Sequence, residues 1–177
     1  MTVLLDIAGA WAVRVSMVAI MLTMTVTMND ALYQAAQQAV VKANLAATAE
    51  IMAQDINMAG LNVSGSAFNI TRYNNLKFYG DLNGLGVAET ISYYTIYNVT
   101  DSVYSLYRKV DQENSGIPVL MGTNFSRVRF SYYNYKGVLD STASNVYWVR
   151  VKLAARILGD TLGLQTVLND FKVCPAN

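Results

Sequence analysis

Acidic side chains are the main candidates for catalytic or metal chemistry in this chain, because histidine is absent and only one cysteine, Cys174, is present. The acids Asp101, Asp111, Glu113 and Asp140 stand singly in turn-like stretches, so no spacing pairs two carboxylates for acid–base work. With no histidine to activate it, Cys174 is expected to be a buried thiol. We therefore expect no catalytic, cofactor-binding or metal-binding residue and no enzymatic activity.

The stretch beginning at Asp81 partly matches a calcium-binding loop, with Asp81 and Asn83 at the first and third positions. The calcium pattern requires a ligand where Leu85 stands and a glutamate at the twelfth position, where Ser92 stands. The sequence Asn83-Gly84 is instead typical of a β-hairpin turn. We expect a hairpin at this position.

Charge is scarce and balanced, since 14% of the residues are charged and the formal net charge is +1. A nucleic-acid-binding protein normally carries a basic face. The balance therefore predicts no nucleic-acid partner and gives no electrostatic reason to expect an acidic substrate.

Residues 7–28 form an apolar run whose one charge is Arg14. Residues 29–60 continue as a polar, alanine-rich segment, and no proline occurs in residues 1–60. A continuous helix of about 55–60 residues would be roughly 80–90 Å long. A chain of 177 residues cannot bury that length on itself. The helix therefore needs a bilayer, other copies of the chain, or both.

Asp6 lies at the edge of the apolar run, where a carboxylate is costly unless a positive group pairs with it. The N-terminal amine of a neighbouring copy is well placed for this pairing. Arg14 lies about 12 Å from Asp6 along the same helix, which is too far for a direct ion pair. It can therefore pair only with the Asp6 of another subunit. The alternative is a plain membrane anchor with an unpaired acid and a tolerated arginine near the interface.

The polar half of the helix carries an apolar stripe at helical spacing, made of Val41, Leu45, Met52 and Ile56. A second stripe consists of small residues, which let helices approach closely. Its members are Ala35, Ala39, Ala43 and Ala46 or Ala47. Two apolar faces suit a helix between a globular head and sibling helices, or a two-sided helix inside one fold. Gly60 is expected to cap the helix.

A loop is predicted at 61–74, and after it apolar and polar residues alternate in the manner of β-strands. Strands are predicted at 75–81, 88–97, 102–110, 119–121, 127–135, 145–158 and 166–173. Short turns between them imply an antiparallel meander. Its apolar face would be covered by the second half of the helix, which gives an α+β fold. We divide the chain into an apolar helix (1–28), its amphipathic continuation (29–60) and a β-rich head (61–177).

In the longest predicted strand, alternate residues share a face. One face carries Tyr147, Val149, Val151, Leu153, Ala155 and Ile157, and the other carries Trp148, Arg150, Lys152 and Arg156.

Tyrosines in the predicted strands include the adjacent pairs Tyr93-Tyr94 and Tyr132-Tyr133, whose members must point to opposite faces. Some tyrosines are therefore exposed. As a set they suggest adhesion or subunit contact, although any single one fits ordinary strand preference. Possible glycosylation sequons stand at Asn62, Asn69, Asn98 and Asn124.

An apolar N-terminal helix with an acid near its fifth residue, followed by a tyrosine-rich β head, resembles the type IV pilin and pseudopilin superfamily. Mature pilins begin like F-T-L-I-E; removal of Met1 leaves Thr2-Val-Leu-Leu-Asp6, with aspartate in the fifth place. The helix end, Glu50 to Gly60, is similar to E-x-x-x-x-D-I-R-x-A-G of larger minor pilins and pseudopilins. The stretches at 80–84, 91–94 and 105–108 follow in the same order. The family's helix-breaking proline is missing.

The resemblance implies a structural subunit that polymerises with itself through residues 1–55. It also implies an inner-membrane precursor, processed or methylated near Met1 and Thr2, and a pilus or secretion assembly machinery as partner. No leader precedes Met1, so we expect a chain that is already processed or unusual. The assembly residues are then Met1, Thr2, Asp6 and Arg14, and the product is a cell-surface filament. A single-pass membrane-anchored binding or sensor module, or a pseudopilin of a secretion system, remains the alternative.

Overall fold

The computed structural model describes residues 2–111, 116–156 and 166–173, and it confirms the α+β fold. Helix α1 spans Thr2–Asn57 without a break, as the absence of proline predicts. By contact density the chain divides into two units, Met1–Val40 and Val41–Asn177. The first unit contains the apolar run 7–28 and the part of α1 that follows it up to Val40, and the second contains the end of α1 and the whole sheet.

The sheet has seven strands, which pair antiparallel in sequence order. Their bounds are β1 Phe68–Arg72, β2 Asn75–Gly80, β3 Glu89–Asn98, β4 Val103–Val110, β5 Val119–Tyr133, β6 Trp148–Arg156 and β7 Thr166–Val173. A short 3-10 helix, Ala143–Asn145, precedes β6. The predicted meander and the β2–β3 hairpin at Asn83-Gly84 are confirmed.

The core of the second unit forms where the end of α1 packs on one face of the sheet. The helix contributes Leu45, Ala49, Met52 and Ile56, and the strands contribute Phe78, Ile91, Leu106, Phe130, Val149, Val151 and Leu153, among others. The predicted apolar stripe is therefore confirmed, with Val41 half-buried at its edge. On β6 the core side is as predicted from Val149 to Ala155. Ala154 is also buried, and Ile157 lies outside the described residues.

The loop predicted at 61–74 is wrong for Phe68–Arg72, which form β1 and pair with β2. The predicted break between 121 and 127 is also wrong, because β5 runs through it as one strand. Gly122 and Asn124, whose φ is +62°, are typical turn residues. Here they belong to an irregular stretch where the pairing of β5 with both β4 and β6 shifts register, and such bulges bend a strand without ending it.

Gly60 does not cap α1 in the predicted way. The helix ends at Asn57, and the Gly60 amide donates a hydrogen bond to the Tyr79 carbonyl oxygen at 2.9 Å. Next to it, Ala59 bridges to Gly80. A Cβ on Gly80 would lie 2.4 Å from the Met58 carbonyl oxygen. The chain after α1 therefore packs directly against the backbone of β2, and Gly80 permits this approach.

Candidate assembly surface and helix anchor

The first unit presents an apolar helix whose large side chains are exposed on every side. Trp11 is 66% exposed, and Ile20, Met21 and Leu22, three consecutive residues that point in different directions, are each about 60% exposed. By length and composition, α1 is able to cross a membrane. A helix that is apolar all round requires an apolar environment, such as lipid or other helices. This segment is therefore the first element of a candidate assembly surface.

Every hydroxyl side chain in residues 7–28 donates a hydrogen bond to a carbonyl oxygen of the preceding turn. These residues are Ser16, Thr23, Thr25 and Thr27, with donor–acceptor distances of 2.8–3.0 Å. Their polar groups are satisfied inside the helix, so they add little cost in an apolar environment. Arg14 is the one charged side chain of this run, and a charge requires a partner in such an environment.

Asp6 and Arg14 both lie at the surface of α1 and are exposed. Eight residues separate them by about 12 Å along the axis and by roughly 80° around it. Neither side chain can therefore neutralise the other within one helix. Thr2 is helical, and Met1 lies outside the described residues. Thr2, Asp6 and Arg14 thus stand on one helix, at separate heights along it.

At the other end of α1, Asp55 joins the helix to the sheet in the second unit. Its carboxylate accepts a hydrogen bond from the Tyr93 hydroxyl on β3 at 2.5 Å and from Arg108 Nε on β4 at 2.6 Å. Asp55 is buried, and Arg108 is largely shielded. Burial, together with the Asp55 charge, raises the pKa of Tyr93 well above its usual range. The phenol therefore stays protonated and keeps donating.

Sequence reasoning missed this helix anchor, defined by Asp55, Tyr93 and Arg108. Each residue belongs to a separate motif, and no pairing among them was predicted. A usable signal existed: Asp55 lies one residue before Ile56 and three after Met52. An acid on the edge of a buried stripe requires a cationic or hydroxyl partner from the facing strands.

Asp81 is only 1% exposed and organises the β2–β3 turn. Its carboxylate accepts hydrogen bonds from the Gly86 amide at 2.8 Å, the Leu85 amide at 3.1 Å and Asn62 Nδ2 at 2.6 Å. Burial alone would raise the pKa of Asp81, but these hydrogen bonds outweigh it and the pKa lies below its ordinary value. Because protein donors occupy both oxygens, the carboxylate serves the turn in this structure.

The other acids singled out lie in turns, as expected. Asp140 accepts hydrogen bonds from the Thr142 amide at 2.9 Å and from Asn145 Nδ2 at 3.1 Å, and these bonds lower its pKa. Asp101 accepts a bond from Asn98, and Asp111 forms an exposed ion pair with Lys109. In the part of the chain that the structure describes, no group of three or more acids, cysteines or histidines is placed to hold a metal ion. Glu113 and Cys174 lie outside that part.

The four sequons differ in their surroundings. Asn62, Asn69 and Asn98 are exposed, whereas Asn124 is half-buried. Asn62 donates its side-chain amide to Asp81, and Asn98 donates to Asp101 at 2.8 Å. Sugar attachment at Asn62 would therefore compete with the turn that Asp81 organises.

The tyrosine pairs point to opposite faces, as predicted. Tyr93 and Tyr132 are buried, whereas Tyr94 and Tyr133 are half-buried on the other face. Tyr94 stacks on Tyr107 with ring centroids 5.5 Å apart. Burial raises the pKa of Tyr132, whose hydroxyl donates to the Arg72 carbonyl oxygen at 2.9 Å. Tyrosines thus supply both core contacts and outward-facing rings.

No protein-family model, curated protein or solved structure matches this chain.

Proposed function

We propose that the chain is a structural subunit of a type IV pilus-like extracellular filament and polymerises through its N-terminal helix. The observation that carries the proposal is the all-round exposure of the apolar side chains of residues 7–28. Identical neighbours supply a surface of the same chemistry along the same length. Burial of apolar surface contributes about 25 cal/mol per Å², so a bundle of such helices is strongly favoured over separate helices in water.

The two charges on the apolar helix set the register of the bundle. Asp6 neutralises a positive group of a neighbouring copy, either its N-terminal amine or its Arg14. Pairing with the amine shifts neighbours by about 7 Å along the axis, and pairing with Arg14 shifts them by about 12 Å. An unpaired charge in an apolar bundle costs several kcal/mol, so these pairs oppose other registers.

Before assembly the apolar helix would reside in a membrane, with the sheet on its outer side. Its length and composition suit that role, and its hydroxyls are already bonded to helix carbonyls. A pilus or secretion assembly machinery would then transfer the subunit to the filament. In this scheme the exposed small-residue stripe at Ala35, Ala39 and Ala43 faces sibling helices.

A second candidate is a single-pass membrane protein whose sheet binds or senses a ligand, and a pseudopilin of a secretion system is a related possibility. The 22-residue apolar run is also consistent with a membrane anchor, since about 20 apolar residues are enough to cross a bilayer. A single-pass membrane anchor provides no positive partner for Asp6, whereas a filament provides one from a neighbouring copy. Asp6 therefore distinguishes the two candidates.

The experiment compares Asp6→Asn with Asp30→Asn, which removes the same charge from an exposed position of α1 just after the apolar run. The fraction of the chain that sediments as polymer is measured in material sheared from cells. The filament predicts that Asp6→Asn abolishes polymer while Asp30→Asn leaves it. If the helix is only a membrane anchor, both variants should remain in the membrane fraction and behave alike.

A charge exchange identifies the partner of Asp6. If Arg14 is that partner, the double variant Asp6→Arg with Arg14→Asp restores part of the polymer that Asp6→Arg alone loses. If the amine is the partner, the second substitution gives no recovery. Membrane fractions of all variants are quantified, so that loss of polymer is separated from loss of protein.

A further inference from the structure

A cleft of about 400 Å³ lies in the second unit, between the chain that leads into β1 and the connection from β5 to β6. Residues 65–68 form one wall, and the other wall is formed within residues 134–147, including the short 3-10 helix. Binding sites for small molecules usually have volumes of about 300–1,000 Å³. The cleft is therefore large enough to hold a small ligand, and it is lined by residues other than those of the helix anchor.

Hydrogen bonds hold the two walls of the cleft together. The Ser66 hydroxyl lies 2.9 Å from the Phe68 carbonyl oxygen in its own wall and 3.2 Å from the Ala143 carbonyl oxygen in the opposite wall, and it is able to donate to either. The Thr71 hydroxyl on β1 donates to the Ser141 carbonyl oxygen just before the 3-10 helix. The fold itself therefore fixes the width of the cleft, which lowers the entropic cost of binding a ligand there.

The lining of the cleft combines apolar side chains, aromatic rings and hydrogen-bonding groups. Phe68 and Val146 are buried and supply apolar surface, whereas Tyr135 and Tyr147 are exposed and supply rings. The polar residues of the lining are Ser66, Asn134, Asp140, Ser144 and Asn145. Amide and hydroxyl side chains both donate and accept hydrogen bonds. This lining complements a ligand that carries many hydroxyl groups beside apolar patches.

Charge around the cleft is balanced. Asp140 is the one charged side chain among the described residues that line it. Lys136 stands next to the lining, with its Nζ 5.4 Å from the centroid of the Tyr135 ring. A small anion would meet the carboxylate in the cleft, and a small cation would meet the ammonium group beside it. Because like charges in contact oppose binding, this arrangement favours a neutral ligand.

We propose that the cleft binds a neutral mono- or disaccharide. One face of a sugar ring presents C–H groups, which pack on an aromatic ring such as that of Tyr147. The hydroxyls at the edge of the sugar exchange hydrogen bonds with the side chains of Ser144 and Asn145 and donate to the Asp140 carboxylate. The site belongs to the second unit alone, so this binding is additional to filament formation and independent of it.

The test uses the unassembled full-length chain in micelles of a polyoxyethylene detergent, whose head group contains no sugar. The chain is applied to an array of immobilised neutral and sialylated glycans, and the neutral mono- or disaccharide that binds best is then titrated in solution by saturation-transfer NMR. We expect its affinity to stay constant from about 0.05 M to about 0.5 M NaCl, because a neutral ligand has no charge to be screened. Binding to sialylated glycans alone, or to no glycan, would overturn the proposal. Filaments are not needed for this measurement, so the proposed function can fail separately.

The test variant is Tyr147→Ala, which removes a ring from the cleft. The matched control is Tyr73→Ala, which removes an exposed ring outside the lining. Tyr147→Ala is expected to weaken binding of the saccharide about tenfold, whereas the control should match the unmodified chain. Tyr147→Phe keeps the ring and should retain binding. Equal affinities of the two alanine variants would overturn the proposal.

A second variant, Ser144→Trp, tests the cleft by filling it. Ser144 is exposed at the surface of the 3-10 helix, so a larger side chain is accommodated without displacing the core. We expect this variant to lose saccharide binding while its circular dichroism spectrum and urea midpoint match those of the unmodified chain. A folded Ser144→Trp chain that binds the saccharide with unchanged affinity would place binding outside the cleft and overturn the proposal.

Discussion

Asp55 is a buried carboxylate at the end of a helix whose first half is apolar. Its two donors come from neighbouring strands, Tyr93 on β3 and Arg108 on β4, which lie opposite each other in the sheet. The carboxylate therefore fixes both the rotation of the helix end and its height over the sheet. Apolar packing alone would tolerate small shifts that these directional hydrogen bonds do not.

We predict that Asp55→Ala destabilises the second unit by about 3 kcal/mol, because it removes the acceptor of the buried Tyr93 hydroxyl and of Arg108 Nε. Denaturant unfolding of the full chain in micelles, followed by tyrosine fluorescence, measures the change. Asp111→Ala is the control, since it removes an exposed ion pair worth at most about 1 kcal/mol. Equal effects of the two substitutions would contradict the role of the helix anchor.

Asp81 makes stability depend on pH in a defined direction. Its folded pKa lies below the ordinary value of 3.8, so its contribution is complete above that value and is lost as pH falls through the folded pKa. We expect Asp81→Asn to be less stable than the unmodified chain at pH 6, with the difference shrinking towards pH 3. Urea midpoints over this range measure it. A difference that is constant or grows on acidification would contradict the assignment.

Helix α1 combines two different surfaces in one continuous element. Within the second unit, Met52 is fully buried while its neighbour Ile51 is 41% exposed. The buried positions Leu45, Ala49, Met52 and Ile56 repeat at three- and four-residue spacing, so a single stripe meets the sheet. The remaining circumference of this half stays available for other contacts.

We predict that Met52→Ala costs about 2–5 kcal/mol of unfolding free energy, since it leaves a cavity against the sheet. Ile51→Ala, the adjacent control, should cost less than about 1 kcal/mol because its side chain is already partly solvated. The same denaturant measurement serves both variants. Similar losses at the two positions would mean that the stripe with Met52 is not the side of the helix that meets the sheet.

Periodicity located α1 and most strands because those elements have strong internal patterns. It failed where the pattern was short or where a residue type had two uses. Phe68–Arg72 are only five residues long and owe their strand form to pairing with β2. Gly122 and Asn124 resemble a turn but lie in a bulged stretch of β5. Long-range pairing decided both cases, and no local rule contains it.

Single residues of the site were harder to predict than the elements. The stripe with Met52 and Ile56 follows from spacing, whereas the pairing of Asp55 with Arg108 joins positions 53 residues apart.

Over the whole molecule, different parts of the chain present different kinds of surface. The exposed apolar surface is concentrated at residues 7–28, and the buried core lies where the end of α1 packs on the sheet. In the proposed filament the exposed apolar surface is enclosed by copies of the same chain.

The most direct test of the filament is microscopy of the assembled state. Material sheared from the surface of cells that produce the full chain is negatively stained and labelled with an antibody raised against residues 61–177. We expect labelled fibres of uniform width, with labels repeated along their length, and none from cells that carry Asp6→Asn. If the chain is abundant in membranes yet occurs only as a detergent-bound monomer, and no labelled fibre forms, the account is contradicted.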